Sequence, residues 1–152
     1  MKNILLIGFF LLTVLVNGQS QMLNGVSLDG PNGFEKTDDL TWSKGNDIIT
    51  VASFDMEVSN EEFSEGCKMG SRASTYLTSF NFELNEKDYF ICLQIGDNEM
   101  LIAQTPVFKN GYTFLVSVGT YPGDYYGDDA IDQAYEQIGY MIGYMITRIT
   151  TF

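Results

Sequence analysis

Residues 80–120 read FNFELNEKDYFICLQIGDNEMLIAQTPVFKNGYTFLVSVGT, and this stretch decides the fold. Four apolar runs follow one another with short polar breaks. Phe80 to Leu84 turns at Asn85-Glu86-Lys87-Asp88 into Tyr89 to Ile95. That run turns at Gly96-Asp97-Asn98 into Met100 to Phe108, and Lys109-Asn110-Gly111 leads into Tyr112 to Thr120. The Asn-Gly step favours positive φ and suits a tight hairpin. Alternation is clear in the last run, where Tyr112, Phe114, Val116 and Val118 oppose Thr113, Leu115, Ser117 and Gly119. Pro106 lacks an N–H and belongs near a strand end or on an edge. The simplest arrangement is an antiparallel meander.

Downstream, the spacing predicts a helix from Asp128 or Asp129 to Ile149. The acids suit its N-terminus and Arg148 its C-terminus. Ile131, Ala134, Tyr135, Ile138, Ile142, Met145 and Ile149 form a stripe at steps of three and four. Gly139 and Gly143 stand four apart on it, which predicts close packing on a sheet. Upstream, Ser59-Asn60-Glu61-Glu62 is a capping box. The helix it opens is expected to run to Leu77, with Phe63, Cys67, Met69, Ala73, Tyr76, Leu77 and Phe80 inward. Gly66 and Gly70 within it imply a second backbone lying close.

Ile48 to Met56 reads as a strand with Ile49 and Val51 on one face and Ile48, Ala52, Phe54 and Met56 on the other. Pro31-Asn32-Gly33-Phe34 bends the chain into a first strand, and Leu40-Thr41-Trp42 lies between turns. Residues 19–30 are polar and are expected to form a flexible lead-in to a single domain over 31–152. The class is α+β: an antiparallel β-sheet meander flanked by helices.

Residues 1–18 read as a secretory leader. Lys2 precedes an uncharged run from Ile4 to Val16, and cleavage is expected before Gln19 or before Gln21. As a helix that run spans only ~20 Å, short of a ~30 Å hydrocarbon core, so no stable membrane insertion is expected after cleavage. Export places Cys67 and Cys92 where a disulfide can persist, although spacing alone leaves them either joined or separately inert. A reactive thiol is disfavoured, because no His and no cluster of Lys or Arg lies near to lower its pKa.

Composition narrows the function. The chain of 152 residues has 8 Lys and Arg against 20 Asp and Glu, a net charge of −12, and no histidine. The acid excess excludes nucleic acid as partner, since scattered cations build no phosphate-binding stripe. Without histidine there is no Ser-His or Cys-His triad and no imidazole metal ligand.

The order of elements resembles the PsbP-like superfamily. A Pro31-x-Gly33-Phe34 opening precedes a strand pair, the Ser59-capped helix, a four-strand meander and one C-terminal amphipathic helix. The resemblance spans roughly Leu28 to Ile149 and is strongest from Tyr112 to Thr120 through the final helix. The superfamily includes the lumenal extrinsic subunit of photosystem II, a eukaryotic Ran-binding import factor and small exported bacterial proteins of the DcrB type. It implies an antiparallel sheet with helices on both faces, an α/β/α sandwich, and brings across no catalytic residue.

One tract stands out as a candidate site: Tyr121, Asp124, Tyr125, Tyr126, Asp128 and Asp129. Tyrosine is enriched at interfaces, and this acidic, tyrosine-rich surface is expected to meet a basic protein partner. The acids lack the alternating order of an EF-hand loop, and helix capping accounts for Asp128 or Asp129. No metal and no cofactor are expected. No paired carboxylates, nucleophile elbow or phosphate loop is evident, so the chain reads as non-enzymatic. The expected function is a secreted or periplasmic binding or accessory protein acting by protein–protein contact. The alternatives are an envelope immunity-type inhibitor of a basic toxin, or a carrier of an apolar ligand with room beneath the helices at Gly66, Gly70, Gly139 and Gly143.

Overall fold

A computed structural model of the protein describes residues 20–70, 72–124 and 127–151. The expected leader lies outside the described residues. In chain order the elements are β1 (Gln21–Leu23), β2 (Val26–Leu28), β3 (Glu35–Asp38), β4 (Thr41–Lys44), β5 (Asp47–Phe54) and α1 (Asn60–Met69). Then come β6 (Ser74–Leu84), β7 (Lys87–Gly96), β8 (Leu101–Lys109), β9 (Tyr112–Thr120), a 3-10 turn (Pro122–Asp124) and α2 (Ala130–Thr151). The class is α+β, as the alternating runs predict.

Strands β3 to β9 make one antiparallel sheet in the order β3-β4-β5-β9-β8-β7-β6. It is two meanders joined at a seam, where β5 pairs with β9 from Ile48↔Gly119 to Phe54↔Thr113. The period of two sorts the side chains. Trp42, Ile49, Val51, Ile91, Leu93, Ala103, Val107, Phe114, Val116 and Val118 are buried on one face. Helix α2 lies over that face against β8 and β9, turning Ala134, Ile138, Met141, Ile142, Met145, Ile146 and Ile149 into the core. Its first turn carries Asp132 and its last Arg148, each favourable to the helix dipole.

The other face carries α1. Ser59 caps it as the capping box predicts: its hydroxyl accepts from the Glu62 N–H, while the Glu62 carboxylate accepts from the Ser59 N–H. The Ser59 N–H, and after it the Ser59 hydroxyl, donate to the Glu62 carboxylate and hold it below its usual pKa. Phe63 meets Phe90 edge-to-face at 6.0 Å between ring centroids. A disulfide joins Cys67 of α1 to Cys92 of β7, with α-carbons 6.1 Å apart.

Four expectations need correction. Helix α1 ends at Met69, not Leu77, because Gly70 adopts φ +65°, a conformation that stops a helix and that other residues rarely take. Residues 74–84, which include Tyr76, Leu77 and Phe80, are β-branched or aromatic at many positions and form β6. Met69 is 83% exposed rather than inward. Residues 21–28 are no loose lead-in: Asn24 and Gly25 take positive φ and turn β1 onto β2, and Val26 and Leu28 are fully buried. The folded unit thus begins before Pro31.

That N-terminal hairpin roofs the inner face at the β3–β5 end. Asn24 donates to Ser53 Oγ at 2.6 Å, and the Leu40 N–H donates to Gln21 Oε1. Just beyond β2, Gly30 lies flat on the Trp42 indole, where a Cβ would come within 2.9 Å of the ring. Asp29 receives both Tyr144 Oη and Arg148 Nε of α2 at 2.8 Å. Burial, then the bond to Asp29, pushes the Tyr144 phenol up to about 12.

Three of the four helix glycines also depart from expectation. Among the described residues nothing lies within 4 Å of a Cβ built at Gly66 or Gly139, and Gly143 meets only the rim of Phe82, so close backbone packing is not the use of these three. At Gly70 a second backbone does lie close, since a Cβ there would come within 3.1 Å of the Ser74 carbonyl oxygen. Pro106 stands inside β8 rather than at its end. It does sit past Gln104, where the β7–β8 pairing stops, so its missing N–H faces no ladder on that side.

Candidate binding groove

The tyrosine and aspartate tract is split between described and undescribed residues. Tyr121 is half-buried and its hydroxyl accepts from Asn98 Nδ2 at 2.7 Å, which ties it to the β7–β8 turn. Asp128 and Asp129 are exposed at the start of α2, and the Asp129 carbonyl accepts the Gln133 N–H as the first helical bond. The side chain of Asp124 and the whole of Tyr125 and Tyr126 lie outside the described residues. Among the described residues no three Asp, Glu, Cys or His side chains converge as metal ligands. Asp47, the first residue of β5, is spent on structure: it accepts from Thr120 Oγ1 at 2.6 Å and Gln137 Nε2 at 2.8 Å.

Two concavities lie elsewhere. The first, about 520 Å³, is bounded by α1 and the outer face of the sheet near Gly66, Gly70, Gln94, Ile102 and Gln104. Its polar groups are largely committed to one another. Ser74 Oγ donates to Gln94 Oε1 at 2.7 Å, Gln94 Nε2 points at Cys92 Sγ, and Gln104 Nε2 donates to Ser117 Oγ.

The second, about 400 Å³, opens on the inner face where α2 stops short of the sheet's β6 end. Strands β6 and β7 supply Phe80, Phe82, Ile91 and Leu93 as its floor, and α2 supplies Tyr135, Ile138, Gly139 and Ile142 as its wall. The register explains the grouping. Phe80 pairs with Ile91 and Phe82 with Tyr89, so alternate residues of both strands face inward together. Tyr135, Ile138, Gly139 and Ile142 recur at helical spacing on one side of α2. The glycine matters because it leaves a gap in that wall. Phe80 is 44% exposed and Tyr135 43% exposed, so the groove is an open apolar surface. Ile131, one turn before Tyr135, extends the stripe outward.

The groove lining holds no carboxylate, amine or thiol. A surface of this kind can seat an apolar group, with the Tyr135 hydroxyl the one polar side-chain group in its lining. The sequence places Gly139 on the apolar stripe with room beneath the helix, but its spacing does not join that gap to Phe80 and Phe82. The available signal was a glycine on the apolar stripe together with an aromatic pair two apart in a nearly uncharged segment. No helix among the described residues is long and apolar enough to cross a membrane. No known family pattern matches the chain, and no curated protein resembles it closely enough in sequence to count as a relative.

Proposed function

We propose that the protein is a secreted or periplasmic, non-enzymatic binding protein that seats an apolar group of its ligand between α2 and β6–β7. The groove carries this reading: eight apolar or aromatic positions converge there, with no charged group in the lining. Each leucine-sized side chain it takes from water contributes about 2 kcal/mol. The Cys67–Cys92 bond supports an oxidising compartment, as does the expected leader. A PsbP-like ancestry belongs to the same proposal, supported by one antiparallel sheet with helices on both faces.

The charge of −12 supports a basic partner, because a field of that size steers cations toward the surface. Between the alternatives, an apolar groove favours seating a ligand over blocking a toxin by charge alone. The test is uptake of Nile red, a neutral apolar dye, by the chain from Gln19 onward. Saturable fluorescence is expected for the natural sequence. In Gly139→Phe the new ring occupies the gap, and affinity should fall by about tenfold or more. Equal dye binding by both would sink the groove as the site.

A further inference from the structure

The groove has a second feature on its open side. Strand β6 is the last in the sheet and pairs with β7 alone. It is eleven residues long, STYLTSFNFEL, with Glu83 its one charge and no proline or lysine. Such an edge is a template for another strand. Its hydrogen-bonding phase follows from the turn. Asn85 and Glu86 both have positive φ, 53° and 61°, as a two-residue type I′ turn requires. Leu84 and Lys87 then close the hairpin as a bonded pair. Alternation makes Phe82 and Phe80 bond inward to β7 and leaves the N–H and C=O groups of Glu83, Asn81 and Ser79 pointing outward.

The outward main chain and the apolar groove therefore belong to the same strand. Glu83, Asn81 and Ser79 offer bonds along the edge, while Phe82 and Phe80 between them turn their rings to the groove. Charge selects the occupant. Glu83, Glu86 and Asp88 stand exposed at the hairpin end, and Asp132 and Glu136 stand exposed on α2 beside Tyr135. The cations nearest in the chain are Arg72, before β6, and Lys87, which stacks over the Tyr89 ring at 5.7 Å. A second copy would bring the same acids to the same edge.

We propose that the ligand is an extended segment of a partner polypeptide, apolar at alternate residues and flanked by Lys or Arg. It adds as a strand to Ser79–Glu83 and turns its apolar side chains over Phe80 and Phe82. The proposal rests on the groove reading and goes further by naming the ligand as a strand.

The probe is a fluorescent peptide of alternating valine and threonine with lysines at both ends, titrated into the full exported chain. Saturable binding is expected, weakening by about tenfold from low to high salt. Asn81→Pro removes an outward N–H and should weaken binding by about tenfold or more. Because that variant can fail to fold, the peptide is also made with N-methyl groups on alternate residues. Methylating the set that faces β6 should abolish binding, and methylating the other set should spare it.

Peptide binding indifferent to both methylation sets and to Asn81→Pro would overturn strand addition. Nile red excluded by Gly139→Phe, with no peptide bound, would overturn it as well while leaving the groove reading standing. Failure of dye and peptide together would remove both. A dimer that Asn81→Pro dissolves would make the occupant a second copy and overturn the partner.

Discussion

At one end of the sheet β3 runs for four residues, three of them charged, with a register shift between Lys36 and Asp38. At the other end β6 runs for eleven residues with one charge. Short length, charge and a bulge are the devices by which proteins blunt an edge against stray pairing. The inner face repeats the contrast. Beside β3–β5 it is roofed by the N-terminal hairpin and tied down through Asp29, whereas beside β6 it is open. Strand β3 packs two acids and a lysine into four residues, whereas β6 carries Glu83 alone in eleven, the other acids of that end standing in the following turn, at the start of β7 and on α2. The lesson is that the bare end is a local property of β6, since the means of guarding an edge are present in the same molecule.

The comparison can be broken by mutation. Trp42 is fully buried at the roofed end, and Trp42→Ala is expected to cost about 3–5 kcal/mol. Phe80→Ala at the open end should cost less than about 1 kcal/mol, because the ring is half exposed. Denaturant midpoints of the two variants measure this directly, and equal losses would erase the distinction. Next in size is the disulfide. Changing Cys67 and Cys92 together to Ser removes a staple across 25 residues and should cost about 3 kcal/mol. Hydrogen exchange should then quicken in β6 and β7 before β3 to β5, because α1 is clamped only near the open end.

A smaller effect separates stability from binding. Thr105 is fully buried on β8, and its hydroxyl has no partner among the described residues. Thr105→Val should raise stability by about 1 kcal/mol, with dye and peptide affinity unchanged. A further effect, on the alkaline side, is confined to the roofed end. The Tyr144 phenol is raised to about 12 in the fold from an ordinary 10, so the folded state holds its proton more tightly. Its contribution is complete below pH 10 and fades as pH rises from 10 toward 12. Ultraviolet titration of the phenol alongside a melting series checks it, and Tyr144→Phe should flatten the dependence.

Much of this frame was legible in the chain. The last three strands announced themselves by alternation and by their turns, α2 by its stripe, and the start of α1 by its capping box. The end of α1 was hidden because Cys67, Ala73, Tyr76, Leu77 and Phe80 continue at steps that also fit a helix. Gly70 ends it through its φ, which spacing does not encode. The strands of the first hairpin are three residues each, too short for a period to register, although Asn24-Gly25 marked the turn. The groove escaped for another reason. Its floor comes from 80–93 and its wall from 135–142, and only strand register and the crossing of α2 bring them together. The tyrosine and aspartate tract drew notice by composition, whereas a surface made by two distant segments has no compositional mark.

The seam between β5 and β9 bears on how the molecule is assembled in time. Ile48 must find Gly119, and Phe54 must find Thr113, across the whole intervening meander. Contacts so far apart in the chain close slowly, whereas β6 to β9 pair with near neighbours and form early. A chain delivered amino end first therefore holds one edge of Ile48, Ile49 and Val51 open until its last quarter arrives, with β4 covering only the other. Refolding yield should fall as protein concentration rises, and a helper that shields that segment during delivery should restore it.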